Sequence, residues 1–140
     1  MVGPLVFTLD EANALVPSFE EAIATIDSDR ERLRAAKVKL NALEMIWGAQ
    51  LHGSECPDRP EAQALVAELE ELEKSITATI QELAEQGAMI KDVGLGLVDV
   101  YHVHDGRLVC LCWKRGEEAI EAWHDVDTGF ADRRPLDDAD

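Results

Sequence analysis

Three titratable side chains in the last third of this 140-residue chain, Asp99, Glu117 and His124, are of the types that hold a divalent cation. Two carboxylates and an imidazole suit a metal of intermediate hardness, so Zn, Mn and Fe are all admissible. A metal-dependent hydrolase or oxidoreductase would use the three as ligands and keep one coordination position open for substrate. The plain alternative needs no ion. Asp99 would then cap a bulge, Glu117 would pair with Arg133, and His124 would be a half-buried, hydrogen-bonded ring.

Other groups compete for the same role. His102-Val103-His104 sets two imidazoles on one face of a strand, as additional ligands or as ordinary exposed histidines. Cys110-Leu111-Cys112 sets two thiols on one side, but a zinc site would want a second Cys or His pair, and Cys56 is remote in sequence. Buried, reduced thiols are the simpler expectation. Lys91, Arg133 and Arg134 offer a small basic spot for an anionic ligand, unless they neutralise nearby carboxylates. Gly94-Leu95-Gly96 lacks the strand before it and the helix after it that a phosphate loop needs. No nucleophile stands beside a base, so no catalytic residue is assigned.

The elements that must position these groups are legible in the periodicity. Thr8-Leu9-Asp10-Glu11 is a capping box, which starts a helix near Leu9. Pro17 then forces a kink or a restart. Phe19, Ile26, Leu33, Leu40 and Trp47 recur every seven residues, and so do Ala62, Leu69, Ile76, Leu83 and Ile90. Asp58-Arg59-Pro60-Glu61 starts the second of these helices and Gly87 is a stop signal. Folding the chain back at Ser54-Glu55 pairs residues whose numbers sum to 109, so that Trp47 meets Ala62 and Leu33 meets Ile76. Each helix would run roughly 45 Å at 1.5 Å per residue. The flanking row Arg30, Lys37 and Glu44 is polar, with Lys37 expected beside Glu73, and one stripe stays free for a partner. A homodimer through this coiled-coil-like hairpin is the expectation.

After Lys91 the chain turns β-rich. Leu97–Val103 and Arg107–Trp113 flank Asp105-Gly106, the preferred pair for a two-residue hairpin turn. Opposed residues then sum to 211, so Asp99 faces Cys112 and Tyr101 faces Cys110. Residues 117–124 read either as a third strand, with His124 across from Arg107 and close to His104, or as a helix lining up Glu117, Glu121 and His124. The expected fold class is α+β. One domain, 1–140, would join a helical hairpin over 8–90 to a β-meander and motif region over 95–136.

Composition narrows the function. Hydrophobic residues make up 46%, enough for a core. With 29 acidic against 13 basic residues the formal charge is −16, which repels nucleic acid and anionic membranes. The acidic Asp137-Asp138-Ala139-Asp140 ends the chain, and Met1-Val2-Gly3-Pro4-Leu5 has neither the basic start nor the apolar stretch of an export signal. A cytoplasmic protein with reduced thiols follows.

The chain resembles a bacterial family known as domain of unknown function 2203. The resemblance rests on Glu11-Ala12-Asn13-Ala14-Leu15-Val16-Pro17 near the start. It continues through Gly87, Lys91-Asp92, Gly96-Leu97-Val98-Asp99, Leu111-Cys112-Trp113-Lys114, Gly116-Glu117, Trp123-His124 and Gly129-Phe130-Ala131-Asp132-Arg133. Val100 stands where the family usually has an aromatic and Asp132 where it usually has glycine. The resemblance implies no particular activity. The leading expectation is a self-associating binding or assembly module with a divalent metal or small ligand at its C-terminal motifs. The alternatives are the metal-dependent enzyme using Asp99, Glu117 and His124, and an acidic adaptor without site chemistry.

Overall fold

The computed structural model describes residues 5–136. The segments Met1-Val2-Gly3-Pro4 and Asp137-Asp138-Ala139-Asp140, read above for an export signal and an acidic end, lie outside the described residues. The architecture is α+β: two long helices that pack together, followed by a five-stranded antiparallel sheet. By contact density the chain forms two compact units. One comprises the residues up to Ala24 and those from Thr79 onward; the other is Thr25–Ala78.

Helix α1 spans Leu9–Ala14 and begins at the capping box: the Glu11 amide donates to Thr8 Oγ1 at 3.1 Å and the Thr8 amide to Glu11 Oε1 at 2.8 Å. The chain breaks at Leu15 and restarts as α2, Val16–Trp47, because Pro17 has no amide to continue the ladder. Helix α3 is Arg59–Glu85. At 1.5 Å per residue α2 is about 48 Å long and α3 about 40 Å.

Within Thr25–Ala78, Ile26 and Ala36 on α2 and Ala62, Leu65 and Leu72 on α3 are buried. At the turn Leu51, Cys56 and Ala62 form a small core under Leu40, Leu43 and Trp47. The carboxylate of Asp58 accepts from Trp47 Nε1 at 2.7 Å, tying the turn to the end of α2. Two details differ from the sequence expectation. The second inward row of α2 is the buried Asp29 and Ala36 with the half-buried Leu43, three residues on from the first, while Lys37 and Glu44 are exposed. Two polar contacts that cross the seam, Ser75 Oγ to Asp29 at 2.6 Å and Arg32 to Glu68 at 3.7 Å, lie five and nine residues off the 109-sum pairing. Among the described residues, the ion pair across this seam is therefore Arg32–Glu68, not Lys37–Glu73. The small Ala36 and the buried Asp29 decide the register, and a count of large apolar side chains does not see them.

The other unit holds the sheet, in the order β1 (Ala88–Asp92), β2 (Leu97–His104), β3 (Arg107–Lys114), β4 (Ala122–Asp125) and β5 (Arg134–Pro135). Gly87 ends α3 with φ +95°, and a Cβ there would sit 2.8 Å from the Phe7 ring. The backbone then enters β1 at once, so Ile90 is a strand residue and not the last member of the helical row. Ile90 nevertheless packs against the same core as Phe19. Asp105 (φ +51°) and Gly106 (φ +74°) make the tight turn, and β2 and β3 pair in the expected register, Asp99 with Cys112 and Tyr101 with Cys110.

One face of the sheet carries Val98, Val100, Leu111, Trp113 and Trp123 into a core with Phe19, Ile23 and Leu83 from the helices. Phe19 and Trp113 meet with ring centroids 5.7 Å apart. Asn13, for which the sequence offered no role, accepts the Ile120 amide through Oδ1 at 2.8 Å. That bond holds the 117–121 connection against α1 and seats the buried Ile120.

Candidate metal centre

Asp99 lies in the middle of β2, Cys112 opposite it on β3, and His124 on β4 opposite Cys110. All three project from the sheet face turned away from the Trp113 core, yet they are only 3%, 1% and 2% exposed. One donor atom from each falls within 4.8 Å of the others. Burying three polar groups together is costly unless each finds a partner.

The partners are specific. His124 Nδ1 lies 2.7 Å from the Asp125 carbonyl oxygen, which can only accept, so Nδ1 carries a proton. Nε2 lies 2.9 Å from Asp99 Oδ2. The lone pair of a neutral ring and a carboxylate oxygen are both acceptors. A cation, whether proton or metal ion, must therefore lie between them. A backbone carbonyl that fixes the far nitrogen of a histidine is the arrangement metal sites use to present Nε2.

Burial, then the negative charge of Asp99, then a hydrogen bond to Asp99 push the Cys112 thiol up to about 12, with Arg133 opposing. Burial, then the Asp99 charge raise Cys110 to about 11, with Lys91 opposing. Neither thiol is a ready nucleophile. The folded value of Cys112 lies above its ordinary 9.0, so the stability it contributes is complete below about pH 9 and is lost as pH rises toward 12. Metal-free protein titrated upward from pH 8 should lose unfolding free energy more steeply than its Cys112→Ala variant. Parallel curves for the two would refute the assigned environment.

Glu117 stands outside this group. Its carboxylate takes both Arg133 amino groups, at 2.9 and 3.3 Å, and the Lys114 amide at 2.7 Å. Arg133 also lies 4.5 Å over the Phe130 ring, and burial by itself would lower its basicity before Glu117 and Cys112 raise it. Arg134 reaches the opposite side, 3.9 Å from Asp125 and 5.2 Å over Trp123. Adjacent in sequence, the two arginines serve different faces, and Lys91 is exposed on β1.

His102 and His104 are not brought to His124. His102 Nδ1 contacts the Phe7 carbonyl oxygen at 2.7 Å, and His104 packs on the Trp123 ring at 5.6 Å and lies 3.3 Å from Asp105. The expected pairing of His124 with Arg107 is corrected by the register: Val109 opposes Asp125, and Arg107 bonds the Asp125 carboxylate at 2.9 Å. The reason is local. Residues 117–121 leave the sheet, with Trp113 Nε1 donating to the Glu117 carbonyl at 2.9 Å, and the strand resumes three residues late. An odd slip turns every side chain to the other face. His124 thereby moves from the histidine face to that of Asp99 and Cys112. Cys112, expected from the sequence to be a buried, reduced thiol, is that and also a candidate donor, set opposite Asp99 by the hairpin register.

No helix among the described residues is long and apolar enough to cross a membrane. No curated protein and no solved structure matches the chain. The family described as "Uncharacterized conserved protein (DUF2203)" matches residues 5–136, nearly the whole chain, and the protein belongs to that family.

Proposed function

We propose that the protein is a binding module that holds one divalent metal ion through Asp99, Cys112 and His124. The observation that carries this reading is the convergence of three unlike donors within 4.8 Å, on three neighbouring strands, with the His124 tautomer already fixed by a backbone carbonyl. Tetrahedral zinc with one sulfur and lighter donors separates its ligand atoms by about 3.3–3.8 Å, so loading opens the His124 Nε2–Asp99 Oδ2 pair slightly from 2.9 Å and closes wider separations by up to about 1 Å. An ion with two positive charges balances a thiolate and a carboxylate, which suits a site shielded from water. The thiolate favours Zn or Fe over Mn. With the donors at most 3% exposed and Glu117 engaged by Arg133, holding an ion fits better than turning over a substrate. Three free cysteines suit a reducing, cytoplasmic setting.

Cobalt titration of metal-free protein tests the reading. Tetrahedral cobalt bound to a thiolate gives intense visible and near-ultraviolet bands. These should saturate at one equivalent per chain, lose the thiolate band in Cys112→Ser, and weaken at least tenfold in affinity in His124→Ala. Because loading displaces protons, affinity should rise with pH. Protein that takes up no cobalt or zinc, or binds them equally well as Cys112→Ser, would overturn it.

A further inference from the structure

The sheet face that carries Asp99, Cys112 and His124 holds one more soft donor. Side chains on it form two rows across the strands: Asp99, Cys112 and Ala122 in one, Tyr101, Cys110 and His124 in the next. Ala122 offers only a methyl group, and Tyr101 is partly exposed. Cys110 is 3% exposed, directly opposite His124, and two residues from Cys112 on the same strand. Its thiol is free of any disulfide and feels the negative charge of Asp99.

Cys110 is not among the donor atoms already within 4.8 Å of one another, but the distance to cover is small. Same-face neighbours on a strand stand about 6.8 Å apart, and two sulfurs on tetrahedral zinc about 3.8 Å. Each sulfur therefore has to lean about 1.5 Å toward the other. Exchanging one staggered χ1 well for the next moves a cysteine sulfur by about 3 Å. Charge allows the same step. A second thiolate adds one negative charge, and each thiol has a cation acting on it, Lys91 on Cys110 and Arg133 on Cys112. The rival donors are less suited. Glu117 is engaged by Arg133 and the Lys114 amide, and a water would have to enter a patch whose donors are at most 3% exposed.

We infer that Cys110 is the fourth donor, so that Asp99, Cys110, Cys112 and His124 close a tetrahedral shell around zinc with no position left for water or substrate. This shell rests on the three-donor reading above and adds to it the coordination number and the preference for zinc. Closed tetrahedral sets with thiolates belong to structural zinc, whereas catalytic zinc keeps one position open. Ligands from β2, β3 and β4 would then share one ion, which ties the three strands together.

X-ray absorption of the zinc-loaded full chain counts the sulfurs without recourse to a variant. The wild type should show two sulfurs at about 2.3 Å and two lighter donors at about 2.0–2.1 Å. Cys110→Ser should still bind cobalt at one equivalent, with half the thiolate band and an affinity about tenfold weaker. Cys110→Ala should open a position, so that azide shifts the visible cobalt bands of that variant and leaves those of the wild type unchanged. Cys112→Ser breaks the preset trio and should lose the band altogether, whereas Tyr101→Phe should change nothing. A single sulfur in the wild type, a full-strength band in Cys110→Ser, or wild-type bands that respond to azide would each overturn Cys110 as a donor while the three-donor site stands. Wild type that takes up neither zinc nor cobalt would overturn both.

Discussion

Trp113→Ala should lower the free energy of unfolding by about 3–5 kcal/mol, the range for deleting a large buried aromatic. Trp113 is 1% exposed and its ring packs on Phe19. It also does a second thing that its size alone does not imply. Its Nε1 donates to the Glu117 carbonyl at 2.9 Å and thereby holds the start of the 117–121 connection. That connection sets the register of β4 and hence the position of His124. The substitution leaves both a cavity and an unpaired carbonyl, against a total stability of about 5–15 kcal/mol for a typical domain. Urea denaturation with an unchanged m-value measures the effect. Val103→Ala, at 49% exposure, serves as the control and should stay within about 0.5 kcal/mol. A loss below about 1 kcal/mol for Trp113→Ala would contradict its place in the core.

Asp99→Ala in metal-free protein should cost about 3–5 kcal/mol, the usual penalty for breaking a buried charged pair. The substitution strips the partner from His124 Nε2, 2.9 Å away, and from the Cys112 thiol. Both groups remain too buried to turn to water. An Asp99→Leu/His124→Leu double variant, with no orphan left on either side, should lose less than the sum of its single variants. Chemical denaturation of the four proteins gives the coupling directly. Additive losses would mean that the two side chains do not share a bond. The same cycle with excess zinc separates structure from binding: the ion stabilises the wild type by RT ln(1 + [Zn]/Kd) and should do little for either single variant.

Some of this protein was written in its sequence because the forces involved are local. Capping at Thr8, the restart at Pro17, the two long helices and the Asp105-Gly106 turn depend on residues within a few positions of one another. So does the β2–β3 register, since a two-residue turn leaves it no freedom, and the facing of Asp99 and Cys112 came with it. The family was legible too, through motifs spread along the chain.

Tertiary contacts decided the rest. The helical register turns on Asp29 meeting Ser75 and Ala36 lying flat in the seam, and neither residue stands out among the large apolar ones. Asn13 acquires a role only because Ile120 is folded onto it from the far end of the chain. The composition of the Asp99–Cys112–His124 cluster hung on one quantity, the number of residues that leave the sheet between β3 and β4. Strand side chains alternate faces, so a slip of three residues in that connection exchanged one set of neighbours for another. It took His124 away from His104, left Glu117 to Arg133, and delivered the imidazole to Asp99 and Cys112. Pattern and propensity determine which segments become strands; the packing of Trp113 and Ile120 determines where the fourth strand begins, and with it which side chains converge.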